Sequence, residues 1–165
     1  MIPVPVDVTA ARAAWAGAVT LLTIADGRDD IGATVSAFCP VSTDPPLVLV
    51  SLMEQSYPAE VLGRAAPGHP VTFAVTLLSA EQRMLAGRFA AEGRPGARLM
   101  LEDVPHSRGA LSRALIPDGG LAAFECSVSQ LVPAGDHVLV IAEVTGIPYL
   151  IDGGHPLIRF RSRYL

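Results

Sequence analysis

Short apolar runs, separated by Gly, Pro and Asp, dominate the chain, and β-branched residues fill most of them. Ala18–Ile24 carries Val19, Thr20, Thr23 and Ile24, a composition that favours a strand. Asp26-Gly27-Arg28-Asp29-Asp30 is turn chemistry, so a hairpin leads into a second strand over Ile31–Cys39. Asp44-Pro45-Pro46 cannot sit inside a sheet, because proline has no ladder donor; it launches an almost wholly apolar strand over Leu47–Leu52. Val71–Leu77, Leu121–Val132, His137–Ile147 and Leu157–Phe160 complete the set, with Pro133-Ala134-Gly135-Asp136 turning the long pair.

Elsewhere the spacing is helical. Asp7 or Thr9 caps a short helix that puts Val8, Ala11 and Trp15 on one face, and Gly17 ends it. Ser56–Ala66 is a second helix, with Pro58 in its first turn, where a missing N–H costs little. Ser79 caps a third, Glu81–Ala91, which turns Met84, Leu85 and Phe89 toward the core. From Ala91 to His106 the pattern is irregular and predicts a long loop, of the kind that is functional or mobile. Strands joined mainly by turns, with helices inserted, favour a mainly β antiparallel barrel over a doubly wound parallel sheet. No G-x-G-x-x-G follows a strand, so the Rossmann fingerprint is missing. There is no repeat or linker, and 165 residues suit one domain over 1–165.

Composition sharpens this picture. Half of the residues are hydrophobic, the mean hydropathy is +0.42 and only 17% are charged. That exceeds the needs of a private core and predicts an apolar interface, hence a homodimer. A membrane is the other outlet, but the longest apolar stretch, Ala13–Ala25, is interrupted by Gly17, Thr20 and Thr23 and is too short to span. The start lacks a basic region and a cleavage site, so no signal peptide is expected. The formal net charge is −4, there is no Lys, and no stripe of Arg suits a phosphate backbone; nucleic acid is excluded as a partner. Arg159, Arg161 and Arg163 alternate on what reads as one solvated strand face. Cys39 and Cys126 make neither a disulfide framework nor a metal cluster, and the scattered His residues lack metal-ligand spacing. A cytoplasmic, metal-free protein is the simplest reading.

The candidate chemistry lies in Gly32–Ser51. Small residues and hydroxyls open this strand where a purely apolar run would serve a core. Gly32-Ala33-Thr34-Val35-Ser36-Ala37-Phe38, Val41-Ser42 and Asp44-Pro45-Pro46-Leu47-Val48-Leu49-Val50-Ser51 together resemble the flavin reductase-like family of FMN-binding split barrels. Ala18-Val19-Thr20 resembles that family's first strand. Gln82, Leu85, Ala86, Phe89 and Ala90 match its Q-x-x-L-A-x-x-F-A helix. Glu125-Cys126, Gly135-Asp136-His137, Glu143-Val144, Pro156-Leu157 and Arg163-Tyr164 resemble further motifs, so the similarity covers nearly the whole chain.

The resemblance implies a six-stranded antiparallel split barrel that dimerises, with flavin (FMN or FAD) near the interface. It implies hydride transfer from NADH or NADPH to flavin, with reduced flavin passed in many relatives to a separate monooxygenase. Expected cofactor contacts are Ala33, Thr34, Val35, Ser36, Ser51, Leu52, Ser56, Tyr57 and Phe89. Small side chains along Ala33–Ser36 let a flat, polar-edged ring approach the main chain, and Thr34 and Ser36 share one side of the strand by its period of two. Ser51 is placed to meet the ribityl chain. His137 is the candidate catalytic residue: alone it reads as a hairpin residue, and the resemblance puts it beside the nicotinamide. The chain departs from the family pattern in having Ser56-Tyr57-Pro58 where Ser-Arg/Lys-Thr is common, and Thr76 where Asn is usual. Without that cation, phosphate is expected at the helix amides and the Ser56 hydroxyl. The alternatives are a flavin- or deazaflavin-binding barrel with another electron acceptor, and a dimeric barrel that binds a partner without cofactor.

Overall fold

The computed structural model describes residues 7–27 and 29–165. Asp7 caps the first helix, α1 (Val8–Ala13), its carboxylate accepting from the Ala10 amide at 2.9 Å. Where one strand is expected, two short ones form, β1 (Gly17–Ala18) and β2 (Thr20–Ile24). The break falls at Val19, whose amide donates to the Leu157 carbonyl and whose carbonyl accepts from Leu78. The chain returns through β3 (Ile31–Val35), bends at Ser36-Ala37 and continues as β4 (Phe38–Thr43), so Ile31–Cys39 is not one straight strand. A cis Asp44–Pro45 bond lies in the turn to β5 (Pro46–Met53). The next helix, α2 (Tyr57–Leu62), is shorter than the expected Ser56–Ala66, because Gly63 closes it and Ala66 then bridges to His69.

After β6 (Thr72–Leu77) a 3-10 turn leads into α3 (Arg83–Ala90). This helix buries Leu85, Ala86 and Phe89 but leaves Met84 in solvent, against expectation; Ala86 takes the core-facing position instead. The stretch after it is not irregular throughout. It carries α4 (Ala97–Met100), fastened by the Ala97 amide to the Asp30 carbonyl at 3.0 Å. A small hairpin, β7 (His106–Arg108) with β8 (Leu115–Pro117), precedes the long hairpin β9 (Ala122–Ala134) and β10 (His137–Leu150). The chain ends in β11 (Ile158–Phe160) and β12 (Arg163–Tyr164).

The main sheet has seven strands in the order β3-β2-β6-β9-β10-β5-β4, all antiparallel. Its two end strands, β3 and β4, are consecutive in the chain. The sheet must therefore curl until its edges meet at Ser36-Ala37, where the Ser51 amide donates to the Ala37 carbonyl at 2.9 Å. With β3 and β4 counted as one bent strand, this is the expected six-stranded split barrel. Leu22, Val50, Phe73, Val75 and Val140 fill its interior. A second core, with Val19, Leu21, Leu85, Phe89, Leu101 and Leu157, lies between the sheet and α3 and α4. Strand β2, between β3 and β6, feeds both, so its threonines are buried too. Their hydroxyls are satisfied internally, Thr20 donating to the Val35 carbonyl at 2.8 Å and Thr23 to that of Leu115 at 2.6 Å. Among the described residues no helix is long and apolar enough to cross a membrane.

Candidate active site

A groove of about 310 Å³ opens where the edges of the barrel meet. Ala33, Thr34, Val35 and Ser36 line it from β3 and the bend, Ser51 and Leu52 from β5, Ser56 and Pro58 from the start of α2, and His137 from the start of β10. The sheet register explains this meeting. β10 pairs with β5 so that His137 lies opposite Met53, Val138 opposite Leu52 and Leu139 opposite Ser51. Eight of the nine residues just named were expected as site residues, and Pro58 was singled out in the same motif.

Two expected residues lie elsewhere. Phe89 is fully buried in the outer core, its ring against Gly32 on the back of β3, so it supports the strand from behind. Tyr57 stands on the surface and donates its hydroxyl to Asp26 at 2.8 Å. The hydroxyls at the groove are also more committed than their types suggest. Thr34 donates to the Ala86 carbonyl at 2.6 Å and ties β3 to α3. The bend at Ser36 interrupts the alternation that would align it with Thr34, and Ser36 is exposed. Ser56 is the N-cap of α2, accepting from the Ala59 amide at 3.4 Å and donating to the Met53 carbonyl at 2.7 Å. Pro58 offers no amide, so little of this six-residue helix is left to seat an anion.

The groove nevertheless has a cation that sequence reasoning missed. Arg94, from the stretch expected to be loop, lines it. Its Nε donates to the Gly32 carbonyl at 2.9 Å and its Nη1 to Ala91 at 3.1 Å. Both bonds are to neutral acceptors, and no ion pair forms with it among the described residues. Burial lowers its pKa from the ordinary 12.5, yet an arginine stays charged at neutral pH. The signal in the sequence was indirect: an expected phosphate site with its usual cation missing. Arg12, from α1, completes the rim.

His137 is held by its neighbour. Its Nδ1 lies 2.7 Å from Asp136 Oδ1, and a carboxylate only accepts, so Nδ1 carries the proton and Nε2 is left for another partner. The hydrogen bond from His137 holds the Asp136 carboxyl below its usual value. Other motif residues serve the frame. Glu125 is buried and accepts at Oε1 from the Leu111 amide, the Ser112 amide and the Ser112 hydroxyl, which pins the loop between β7 and β8. Burial pushes the Cys126 thiol up to about 12, so it is inert. Thr76 lies fully buried within β6, away from the groove.

The fold and the groove define a flavin-handling split barrel, and the chain belongs to the flavin reductase-like family: residues 12–165 match the flavin reductase like domain. It is 34% identical over 146 residues to the NADH-dependent FMN reductase AsuE2 of Streptomyces nodosus subsp. asukaensis, covering 88% of this chain and 76% of that one. It is 32% identical to the reductase component of 4-hydroxyphenylacetate 3-monooxygenase from Thermus thermophilus, covering 93% and 91% of the two chains. Among solved structures it resembles BorF, the flavin reductase component of a bacterial two-component tryptophan halogenase, with a TM-score of 0.85, 26% identity and 95% and 94% coverage. The NADH:FAD oxidoreductase SgcE6 of Streptomyces globisporus, solved with NAD and FAD fragments, superposes with a TM-score of 0.84 at 26% identity, covering 95% and 88%.

Proposed function

We propose that this chain is an NADH-dependent flavin reductase, in which the groove at the barrel seam holds FMN or FAD beside a nicotinamide. The observation that carries the reading is the convergence of a small-residue strand, three serines, a half-buried arginine and an oriented histidine on one groove of a flavin reductase-like barrel. The residues present fit a flavin. Ala33, Val35, Leu52 and Pro58 give apolar walls for a flat ring. Ser36 and Ala37 lie outside the named strands, and although the Ala37 carbonyl is taken by the Ser51 amide, the main chain at Ser36 can meet a polar ring edge. Arg94 takes the phosphate that the Ser56-Tyr57-Pro58 segment has no cation to hold, with Ser56 at its side.

The flavin, when bound, supplies the ring that accepts the hydride. The protein's part is alignment: β3 and β5 fix one face, the bend at Ser36-Ala37 leaves room for close approach, and His137 Nε2 offers a hydrogen bond to the nicotinamide amide. Overall NADH, flavin and a proton give NAD⁺ and reduced flavin, the proton coming from solvent. No side chain acts as acid or base on the hydride, so orientation carries the rate. NADPH is the alternative reductant.

We further infer a single domain that works as a homodimer in the cytoplasm. Ile147, Leu150 and Ile151 are exposed in and just after β10, and Leu111 beside Gly146 extends the apolar surface. Reduced flavin is passed to a separate monooxygenase component, by analogy with the relatives that carry that name. The test is NADH oxidation by the purified protein with FMN, FAD or riboflavin: flavin-dependent turnover is expected, and its absence with every flavin overturns the reading.

A further inference from the structure

Among the described residues two carboxylates are buried, Asp30 and Glu125. Glu125 commits its Oε1 to the loop between β7 and β8. Asp30 does not line the groove, yet it draws two arginines from distant segments. Arg108 of β7 donates to its Oδ2 at 2.7 Å, and Arg98 of α4 does so at 3.2 Å. We propose that the Asp30–Arg98 pair positions Arg94, and so sets the protein's preference for a flavin that carries a terminal phosphate over one that does not. This rests on the reductase reading above, in which Arg94 meets that phosphate.

The chain between Arg94 and Arg98 leaves little slack. Pro95 has its φ fixed by its ring. Gly96 lies so close to the turn between β2 and β3 that a Cβ there would overlap the Asp29 carbonyl. The Ala97 amide donates to the Asp30 carbonyl at 3.0 Å and the Arg98 amide to that of Asp29 at 3.3 Å. The Arg98 side chain closes this attachment, its Nη2 donating to the Asp30 carboxylate and to the Gly27 carbonyl at 3.1 Å. A four-residue helix has too few internal bonds to hold itself, so α4 takes its place from its contacts. Ala97 and Leu101 bury it against the outer core, and the ion pair fixes where along the turn it sits. Arg94 reaches the Gly32 carbonyl, and the groove, from that seat.

The turn is itself held on several sides. Asp30 has a φ of 48°, a left-handed conformation that aspartate tolerates because its short side chain bonds locally. Here its Oδ1 accepts from the Asp26 amide at 3.3 Å. Asp26 in turn accepts from the Tyr57 hydroxyl, which ties the same turn to the start of α2, where Ser56 lines the groove. The turn thus reaches both the cation and the hydroxyl expected at the phosphate. A buried ion pair gains little net stability over its desolvation, and the use left to it is to fix geometry. Arg108 supplies the contrast. It shares the carboxylate, but it comes from the hairpin β7–β8 and its other bond, at 2.7 Å, goes to the Arg113 carbonyl, so it is not part of the segment that carries Arg94.

The experiment titrates the full-length protein and its variants with FMN and with riboflavin by equilibrium dialysis, and reads the ratio of the two dissociation constants. The wild type is expected to favour FMN, and R94A to weaken FMN by about tenfold or more with riboflavin little changed. R98Q is expected to weaken FMN by roughly three- to tenfold and to leave riboflavin as it was, and R98K to restore most of the preference. R108Q, which breaks the other half of the same cluster, keeps the preference of the wild type. In R94A/R98Q, FMN binds no more weakly than in R94A alone, because Arg98 acts through Arg94. Circular dichroism checks that each variant is folded, and R98M, which keeps the aliphatic stem, carries the test if R98Q is not. An Arg98 that serves stability alone would weaken both flavins alike or add its loss to that of R94A. Either result overturns the proposal, as does an R98Q protein with the wild-type preference or an R108Q protein that loses it equally. An R94A protein that keeps its full preference for FMN removes the phosphate contact and the pair's role with it. Loss of the preference in R94A but not in R98Q overturns the pair's role alone. Turnover of NADH with riboflavin on the same preparations tests the reductase reading independently of both.

Discussion

His137 is the residue at which the proposed nicotinamide and flavin contacts can be told apart. Its ring is fixed by Asp136 and lines the groove, and the role proposed for it is to position the nicotinamide. His137→Ala should raise KM for NADH and lower kcat/KM by roughly ten- to a hundredfold, about 1.4–2.8 kcal/mol, with flavin affinity little changed. Stopped-flow reduction that matches the wild type at every NADH concentration would reduce His137 to a hairpin residue. Arg94 should show the opposite pattern. Arg94→Ala is expected to weaken FMN by about 1.5–3 kcal/mol and riboflavin, which lacks the phosphate, hardly at all. Ser56→Ala removes a helix cap as well as a groove hydroxyl, so about 1 kcal/mol of folding stability should go with it in urea titrations. Composition and motif made the serines and His137 legible; Arg94 was not, because its place depends on a long loop folding back over β3. Asp30 offers a pH test. Burial alone would raise its carboxyl, but Arg108 at 2.7 Å and Arg98 at 3.2 Å outweigh it, and its pKa lies below the ordinary 3.8. A lowered carboxyl contributes stability that is complete above the unfolded value and lost as pH falls through the folded one. Asp30→Asn, which also tolerates the φ of 48°, should cost roughly 2 kcal/mol at pH 7 and flatten the loss of stability on acidification below pH 3.8. An acid limb unchanged in the mutant would show that the cluster does not report on folding.

At the scale of elements, β3 is the wall on which the site depends, and it is braced from behind. Phe89 of α3 sits against Gly32 so closely that a Cβ there would overlap the ring. Phe89 is fully buried and cannot swing away. Gly32→Ala should therefore destabilise the protein by about 1–3 kcal/mol, read from the urea midpoint, and lower flavin affinity in the fraction that remains folded. Full stability in the mutant would mean that α3 shifts freely against the strand. The strands were well foreshadowed in the sequence because β-branched runs and Pro/Gly punctuation are local signals. The bend at Ser36-Ala37 was not, since closure of the barrel imposes it. Met84 illustrates the same limit: α3 has apolar residues on more than one side, and contact with β2 and β3 decides which side is buried.

For the whole molecule, the apolar excess that predicted an interface leaves Leu111, Ile147, Leu150 and Ile151 in solvent on the single chain. Light scattering at micromolar concentration should give about twice the chain mass, and a stable monomer that binds flavin would overturn the proposed dimer. Antiparallel barrel topology could be read from turn-linked strands alone, whereas the flavin assignment needed motif resemblance, because a groove built from two sheet edges has no continuous signature in the chain. The proposed function requires this groove to align a nicotinamide against a flavin for direct hydride transfer. Anaerobic mixing of flavin-saturated protein with NADH, followed by the loss of oxidised-flavin absorbance, tests it most directly. Single-turnover reduction is expected to saturate with NADH and to slow when the transferred hydrogen is replaced by deuterium. Flavin that binds and stays oxidised in the presence of saturating NADH and NADPH would contradict it.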